Sequence, residues 1–192
     1  MARPKSFDHD AVLTGAMHAF RQHGYARLSI RDLEQATGLV AGSIYNSFGD
    51  KSGLFAVAFA HYLRAVLLQR IDTYAPSGNG LDGMRRLFTS LLEEPRNESF
   101  GCLITNTAVE FGAAGTDQLS LVQSGFEILR KALLASLMAA QQTRALRKGI
   151  DPVVAATKLV ALYQGVLVMV RAGHDKNSLR QAINLEFDAL MA

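Results

Sequence analysis

Ser29-Ile-Arg-Asp-Leu-Glu-Gln-Ala-Thr-Gly-Leu-Val-Ala-Gly-Ser-Ile-Tyr-Asn-Ser-Phe-Gly-Asp-Lys-Ser-Gly-Leu54 is the stretch that decides the fold. Ser29 stands just before an apolar spacing of Ile30, Leu33 and Ala36. That order predicts a short helix over 30–37 with Ser29 as its N-cap. Gly38 follows, and glycine accepts the left-handed conformation that ends a helix and turns the chain. A second short helix is expected over 41–48, with Ile44 and Phe48, four residues apart, facing inward. Gly49-Asp50 breaks it. Asp50 can then cap a longer helix from 51 that carries Leu54, Ala58, Tyr62 and Val66 on one stripe. Two short helices joined by a glycine-containing turn form a helix-turn-helix, in which the first helix braces the second.

With Ile44 and Phe48 inward, Gly42, Ser43, Tyr45 and Asn46 are left facing outward. Small residues at the start of such a helix let its N-terminus enter the DNA major groove. Tyr45 can donate its hydroxyl to a phosphate, and Asn46 can reach a base edge or a phosphate. Ser29 and Lys51 sit at helix N-termini, where free N–H groups and the helix dipole attract phosphate. The generic pattern alone fits a helical hairpin that never meets DNA equally well, because short helix pairs are common.

The full stretch is more specific. It resembles the TetR family motif, in which a capping Ser/Thr is followed by Ala-x-Gly-Val, then Thr-Leu-Tyr, then Phe, Lys and Leu. The matching residues are Ser29, Leu33, Ala36, Gly38, Ser43, Ile44, Tyr45, Phe48, Lys51 and Leu54, with Leu39 in place of the valine. Upstream, a helix is expected over 8–23, with Asp8 as cap and Val12, Ala16, Ala19 and Phe20 on one face. The order Ala19-Phe20, then Gly24-Tyr25, resembles the family's first helix and its exit. The resemblance covers residues 10–60. It implies an all-α fold of about nine helices: a three-helix DNA-binding domain over 1–54 and a helical ligand-binding and dimerisation domain over 55–192. It further implies a homodimer on a palindromic double-stranded operator, acting as a repressor that a small-molecule inducer releases. Asn46 stands where the family varies, so no operator preference carries over.

Bulk properties contribute little to that conclusion. The chain has 192 residues, 49% of them hydrophobic and 19% charged, a globular composition. The formal net charge is only +3, and in residues 1–54 Arg3, Lys5, Arg21, Arg27, Arg31 and Lys51 are nearly balanced by Asp8, Asp10, Asp32, Glu34 and Asp50. Charge therefore does not point to nucleic acid. A single cysteine, Cys102, excludes an intramolecular disulfide. The first ten residues lack the apolar core of a signal peptide, and the apolar run over 159–170 is too short for a bilayer. A cytoplasmic protein without a membrane partner is expected.

Beyond residue 54, helices are expected over 81–93, 102–112, 117–143, 151–171 and 178–191. Turns are read at 76–80, 95–100 and 112–115. No segment alternates apolar and polar residues, so no sheet is expected. The helix over 151–171 is apolar on more than one face and must be covered on both sides. Ala155, Ala156, Ala161 and Gly165 would let a second copy approach. Leu179, Ile183, Glu186, Phe187 and Leu190 of the last helix would complete a four-helix interface.

Gly101-Cys102-Leu103, followed by Asn106, looks like one branch of the family in which some members respond to oxidants or electrophiles. A thiol at a helix N-terminus is a physically sound sensor, although a lone cysteine is more often a small buried hydrophobe. Phe88, Phe100, Phe111, Phe126, Tyr163 and Met169 are candidates to line an inducer pocket. His9, His18, His23, His61 and His174 show no metal-ligand spacing, so neither metal nor cofactor is expected. Two other functions compete. One is a helical enzyme with Cys102 as nucleophile, which lacks a local Cys–His signature. The other is a helical protein-interaction module.

Overall fold

A computed structural model describes residues 7–76, 78–93, 100–112 and 116–192. Arg3 and Lys5, Ser77 of the expected loop, residues 95–99 of the next and residues 113–115 of the third lie outside the described residues. Nine helices occur among those described: α1 His9–His23, α2 Ile30–Thr37, α3 Ala41–Phe48, α4 Lys51–Tyr74, α5 Gly80–Thr89, α6 Leu103–Phe111, α7 Thr116–Gln142, α8 Pro152–Arg171 and α9 Lys176–Leu190. Leu146 pairs with Met191 in an isolated antiparallel bridge, which ties the end of the chain to the loop after α7.

The first three helices form where their caps and apolar spacing say they should. Asp8 accepts the N–H groups of Asp10 and Ala11 and starts α1. Val12, Leu13, Ala16, Met17 and Phe20 then fall on the buried face. Ser29 and Asp32 make a reciprocal capping box at the start of α2. Gly38 ends α2 at φ 70° and ψ 7°, the left-handed region, and so sets the turn into α3. Helices α1 and α2 cross with Gly15 at the contact. A Cβ placed there would lie 2.0 Å from the carbonyl oxygen of Ala36, so only glycine fits that approach.

Helix α4 joins this head to the rest. Asp50 caps it by accepting the N–H of Gly53. It is α-helical over Lys51–Tyr62 and Gln69–Tyr74, with a π-helical turn over Leu63–Leu68 between them. The expected domain boundary after residue 54 falls inside this helix. Beyond α4, α7 is the central strut and packs on α5, α6 and α8, while α9 packs on α5. Val122, Leu129, Leu133 and Leu137 of α7 are buried in the core. Asp151 accepts the N–H of Val153 and Pro152 occupies the first turn, so α8 begins where expected.

Some expectations change. The helix expected over 81–93 is α-helical only over Gly80–Thr89 and tightens to a 3-10 turn over Ser90–Leu92. The apolar run over 159–170 is part of a 20-residue helix that is long and apolar enough to cross a membrane by length and composition alone, as is Lys51–Tyr74. The length argument against a membrane span therefore fails. Ala155 and Ala156 are buried inside their own subunit, as are Leu179, Ile183, Phe187 and Leu190. They hold α8 and α9 to the core and leave Ala161, Gly165, Val154, Val168 and Met169 to form the outer face of α8.

Candidate nucleic-acid interface

Helix α3 is anchored by one residue. Ile44 is fully buried beneath it, and Phe48 is half-buried, with its ring edge-on to His9 at 5.9 Å. Gly42, Tyr45, Asn46 and Ser47 are exposed, and Ser43 is half-buried. Tyr45 is 48% exposed, so its hydroxyl is presented outward rather than packed. The expected reading residues therefore do share one accessible face. Val40, immediately before α3, is 67% exposed. It stands beside the exposed face of α3.

The turn between α2 and α3 is locked by Glu34, whose carboxylate accepts the backbone N–H of Ala41 at 2.5 Å. The Thr37 hydroxyl donates to the carbonyl of Leu33 and accepts the N–H of Leu39. Sequence reasoning missed Glu34, because a seven-residue separation matches no local capping pattern.

Ser29 and Lys51 flank α3 on two different helices. The Ser29 hydroxyl is exposed and donates to the Asp32 carboxylate at 2.6 Å while also accepting the N–H of Asp32. The Ser29 hydroxyl and the Ser29 backbone N–H, which donates to the same carboxylate at 2.8 Å, hold the Asp32 carboxyl below the ordinary carboxylate range. Lys51 opens α4, and its ammonium lies 4.4 Å from the centroid of the Tyr25 ring. A cation held over an aromatic face keeps its charge while losing freedom to wander.

Tyr25 also touches the other half of the molecule. Its backbone N–H and that of Ala26 donate to the Glu110 carboxylate at 2.8 and 2.6 Å. Its ring lies 5.2 Å from Phe111 and 5.2 Å from Phe55. Nearby, buried Arg21 donates through Nε to the carbonyl of Gly101, and Asn106 donates to the carbonyls of Arg21 and Phe100. The C-terminal end of α1 is thus fastened to α6 by hydrogen bonds and a tilted ring contact. Nothing in a linear motif announces these contacts, since 85 positions separate Tyr25 from Glu110.

The candidate inducer residues fall into separate places. Phe111 and Phe126 come together across a cavity between α6 and α7. Phe88 and Tyr163 stack edge-on at 5.3 Å, and Phe88 also meets Phe187 at 5.2 Å, so Phe88 is a core residue. Phe100 is half-buried and its carbonyl accepts from Arg171, while Met169 sits on the outer face of α8. Cys102 is 3% exposed, and its sulfur accepts the Tyr62 hydroxyl at 3.3 Å. Tyr163 and Cys102 border one narrow gap with Tyr62 and Gln164. Burial, with Cys102 adding to it, pushes the Tyr62 hydroxyl well above the ordinary phenol range, so it stays a donor. Cys102 also lines a groove of about 530 Å3 between the head and the C-terminal helices, with Arg27, Glu110 and Arg171 around it.

A small helix-turn-helix head on a larger helical body defines a DNA-binding regulator, and comparisons with known proteins agree. Residues 12–58 match the model for bacterial regulatory proteins of the tetR family, and residues 80–185 match the tetracyclin repressor-like C-terminal domain. The chain belongs to the TetR family of transcriptional regulators. It is 26% identical over 182 residues to the transcriptional repressor ComR of Escherichia coli, covering 93% of this chain and 87% of ComR. It is 25% identical over 175 residues to the repressor DhaR of Mycobacterium sp., covering 90% and 86%. Its fold matches a cysteine mutant of the TetR family regulator CifR complexed with 26 bp operator DNA, with a TM-score of 0.84, 22% identity and coverage of 98% and 100%. The family is one of regulators, so the reading of Cys102 as an enzyme nucleophile is set aside.

Proposed function

We propose that this protein is a homodimeric repressor in the cytoplasm that binds a palindromic operator and is released by a small molecule. The supporting observation is the exposed face of α3, where Gly42, Tyr45 and Asn46 surround the buried anchor Ile44. In this reading residues 1–54 form the reading head and residues 55–192 carry ligand binding and dimerisation, with α4 shared between them. Tyr45 and Lys51 hold phosphates, Ser29 acts through the helix N-terminus that it caps, Gly42 and Ser43 allow the helix end to approach the groove, and Asn46 reaches a base edge or phosphate. The repressors ComR and DhaR and the CifR–operator complex support the same assignment.

The outer face of α8 supports the dimer. Val154 and Val168 are 65% and 51% exposed on a helix otherwise packed into the core. A Cβ at Gly165 would meet nothing within 4 Å, so the backbone there is open to a second helix. Lys158 pairs with Glu186 at 2.8 Å and fixes α9 beside that face. Two heads held this way read half-sites one helical turn, roughly 34–36 Å, apart.

Phe111 and Phe126 are the candidate inducer contacts, while Phe88 and Tyr163 belong to a separate core cluster with Phe187. Modification of Cys102 is a second route to release, favoured by its place at the wall of the interdomain groove. Its burial requires that groove to open first. Graded electrophile exposure with mass spectrometry tests this route, and an unmodified Cys102 with operator release unchanged in Cys102→Ser removes it.

The central test is a gel shift with DNA flanking the gene over a salt series. Retention of a flanking palindrome at low salt, with affinity falling steeply as salt rises, is expected. Tyr45→Ala is expected to weaken binding about tenfold with an unchanged melting temperature, the scale of one lost hydrogen bond. No retention of any flanking palindrome at low salt overturns the assignment.

A further inference from the structure

Phe111 faces two ways. On one side it walls a cavity of about 230 Å3 between α6 and α7, together with Ala108, Leu119, Val122 and Phe126. On the other it contacts Tyr25, whose ring carries the Lys51 ammonium. The cavity is therefore one aromatic contact away from the residue that holds the first turn of α4, beside the reading helix.

The lining fixes the chemistry of an occupant. None of the described residues around this cavity is charged, and Thr107, Gln118 and Gln123 supply its polar groups. An ion there would find no counter-charge among those residues, whereas their apolar surface suits an uncharged ligand. Apolar cavities of about 150 Å3 lined by Leu, Ile and Phe hold benzene, so this one has room for a single substituted ring. Phe111 and Phe126 add two aromatic surfaces for it to pack against.

The mechanical side rests on three fixed contacts. Glu110 holds the backbone of Tyr25 and Ala26, so the end of α6 and the exit of α1 move together. A ring inserted beside Phe111 must displace it or brace it. Either change reaches Tyr25, and through it the cation of Lys51.

We infer that the α6–α7 cavity takes an uncharged, single-ring aromatic molecule and passes its occupancy to Lys51 through Phe111 and Tyr25. The output half of this inference rests on the regulator reading above.

The test uses the full chain, 4-fluorotoluene as probe, and DNA selected by the wild-type protein from a random pool. Fluorine NMR is expected to show saturable binding. Saturating probe is expected to change DNA affinity by at least about fivefold. Ala108→Phe or Leu119→Trp, each filling the cavity, is expected to abolish probe binding while the far-ultraviolet spectrum is kept. Using both variants covers the case in which one does not fold. Phe111→Leu keeps an apolar wall but removes the ring against Tyr25. It is expected to bind probe yet respond less than about twofold on DNA. Lys51→Met should lose the response in the same way, and the double variant should show no further loss.

Absence of saturable probe binding to the wild type overturns the site. A full DNA response in Phe111→Leu overturns the route. Should the wild type select no DNA, the regulator reading falls, and fluorine NMR alone decides the cavity.

Discussion

The Glu34 carboxylate accepts the backbone N–H of Ala41 at 2.5 Å, so α2 supplies the cap that α3 does not provide for itself. Val40 occupies the N-cap position of α3 and has no side-chain acceptor. Glu34→Ala is expected to cost about 1 kcal/mol, the usual value of a lost helix cap. For a chain of this size that lowers the melting temperature by about 2–4 °C. Glu34→Gln keeps an acceptor and should cost less. Differential scanning calorimetry compares the two, and equal losses would mean that charge rather than capping matters.

Gly15→Ala tests the crossing of α1 and α2. The added methyl would sit 2.0 Å from a backbone oxygen, which cannot swing aside as a side chain can. The expected loss is about 1–3 kcal/mol, typical of overpacking, together with weaker DNA binding. Gly125→Ala is the control, because its added methyl meets the flexible end of Ile104 at 2.7 Å. Thermal melts should place Gly15→Ala clearly below Gly125→Ala.

Two titrating groups set limits on stability with pH. Ser29 holds the Asp32 carboxyl below its ordinary range, so the folded value lies under the unfolded one. Its stabilisation is fully present above about pH 3.9 and is lost as pH falls through the lower folded value. Tyr62 behaves oppositely. Burial raises its folded value, whereas the unfolded chain ionises near about pH 10. Its contribution is whole below that pH and is lost as pH rises beyond it. Denaturant midpoints across pH should show Asp32→Asn blunting the acid limb and Tyr62→Phe the alkaline limb.

Gly165→Arg addresses the outer face of α8. The position is open within one subunit, so the substitution should leave the helical content of a single chain intact. A charge there should prevent a second α8 from packing against it. Sedimentation is expected to show half the wild-type mass. Binding to a two-half-site operator should fall by about 100-fold as avidity is lost. An unchanged dimer mass would move the interface elsewhere.

The sequence was most informative where one residue serves one local purpose. Ser29, Gly38, Asp50 and Pro152 each act within four residues of themselves, and each is found in the role its neighbours predict. Periodicity also located the core positions of α1. Leu119 and Phe126 are instructive exceptions. Both follow the inward spacing of α7, yet both are partly open because the cavity beside Phe111 lies opposite them. Spacing reports which way a side chain faces and is blind to whether anything fills the space it faces.

What stayed hidden was contact over long separations. Glu34, Glu110 and Tyr25 look like ordinary surface or turn residues in one dimension. The family resemblance made the DNA-reading face of α3 legible because the motif lies in one continuous stretch. It could not do the same for the junction of head and body, whose parts lie in the exit of α1, the end of α6 and the start of α4.

The π-turn over Leu63–Leu68 carries a consequence for anyone wishing to recombine this protein. It breaks the α-helical register in the middle of α4, so the segment before it is phased to the head and the segment after it to the body. In an α-helix each residue advances the rotation by roughly 100°. A hybrid that borrows another head must be spliced before Leu63, so that the offset travels with the body it was matched to. Spliced inside the turn, a foreign head would arrive rotated, its recognition surface aimed past the groove even with every one of its own residues intact.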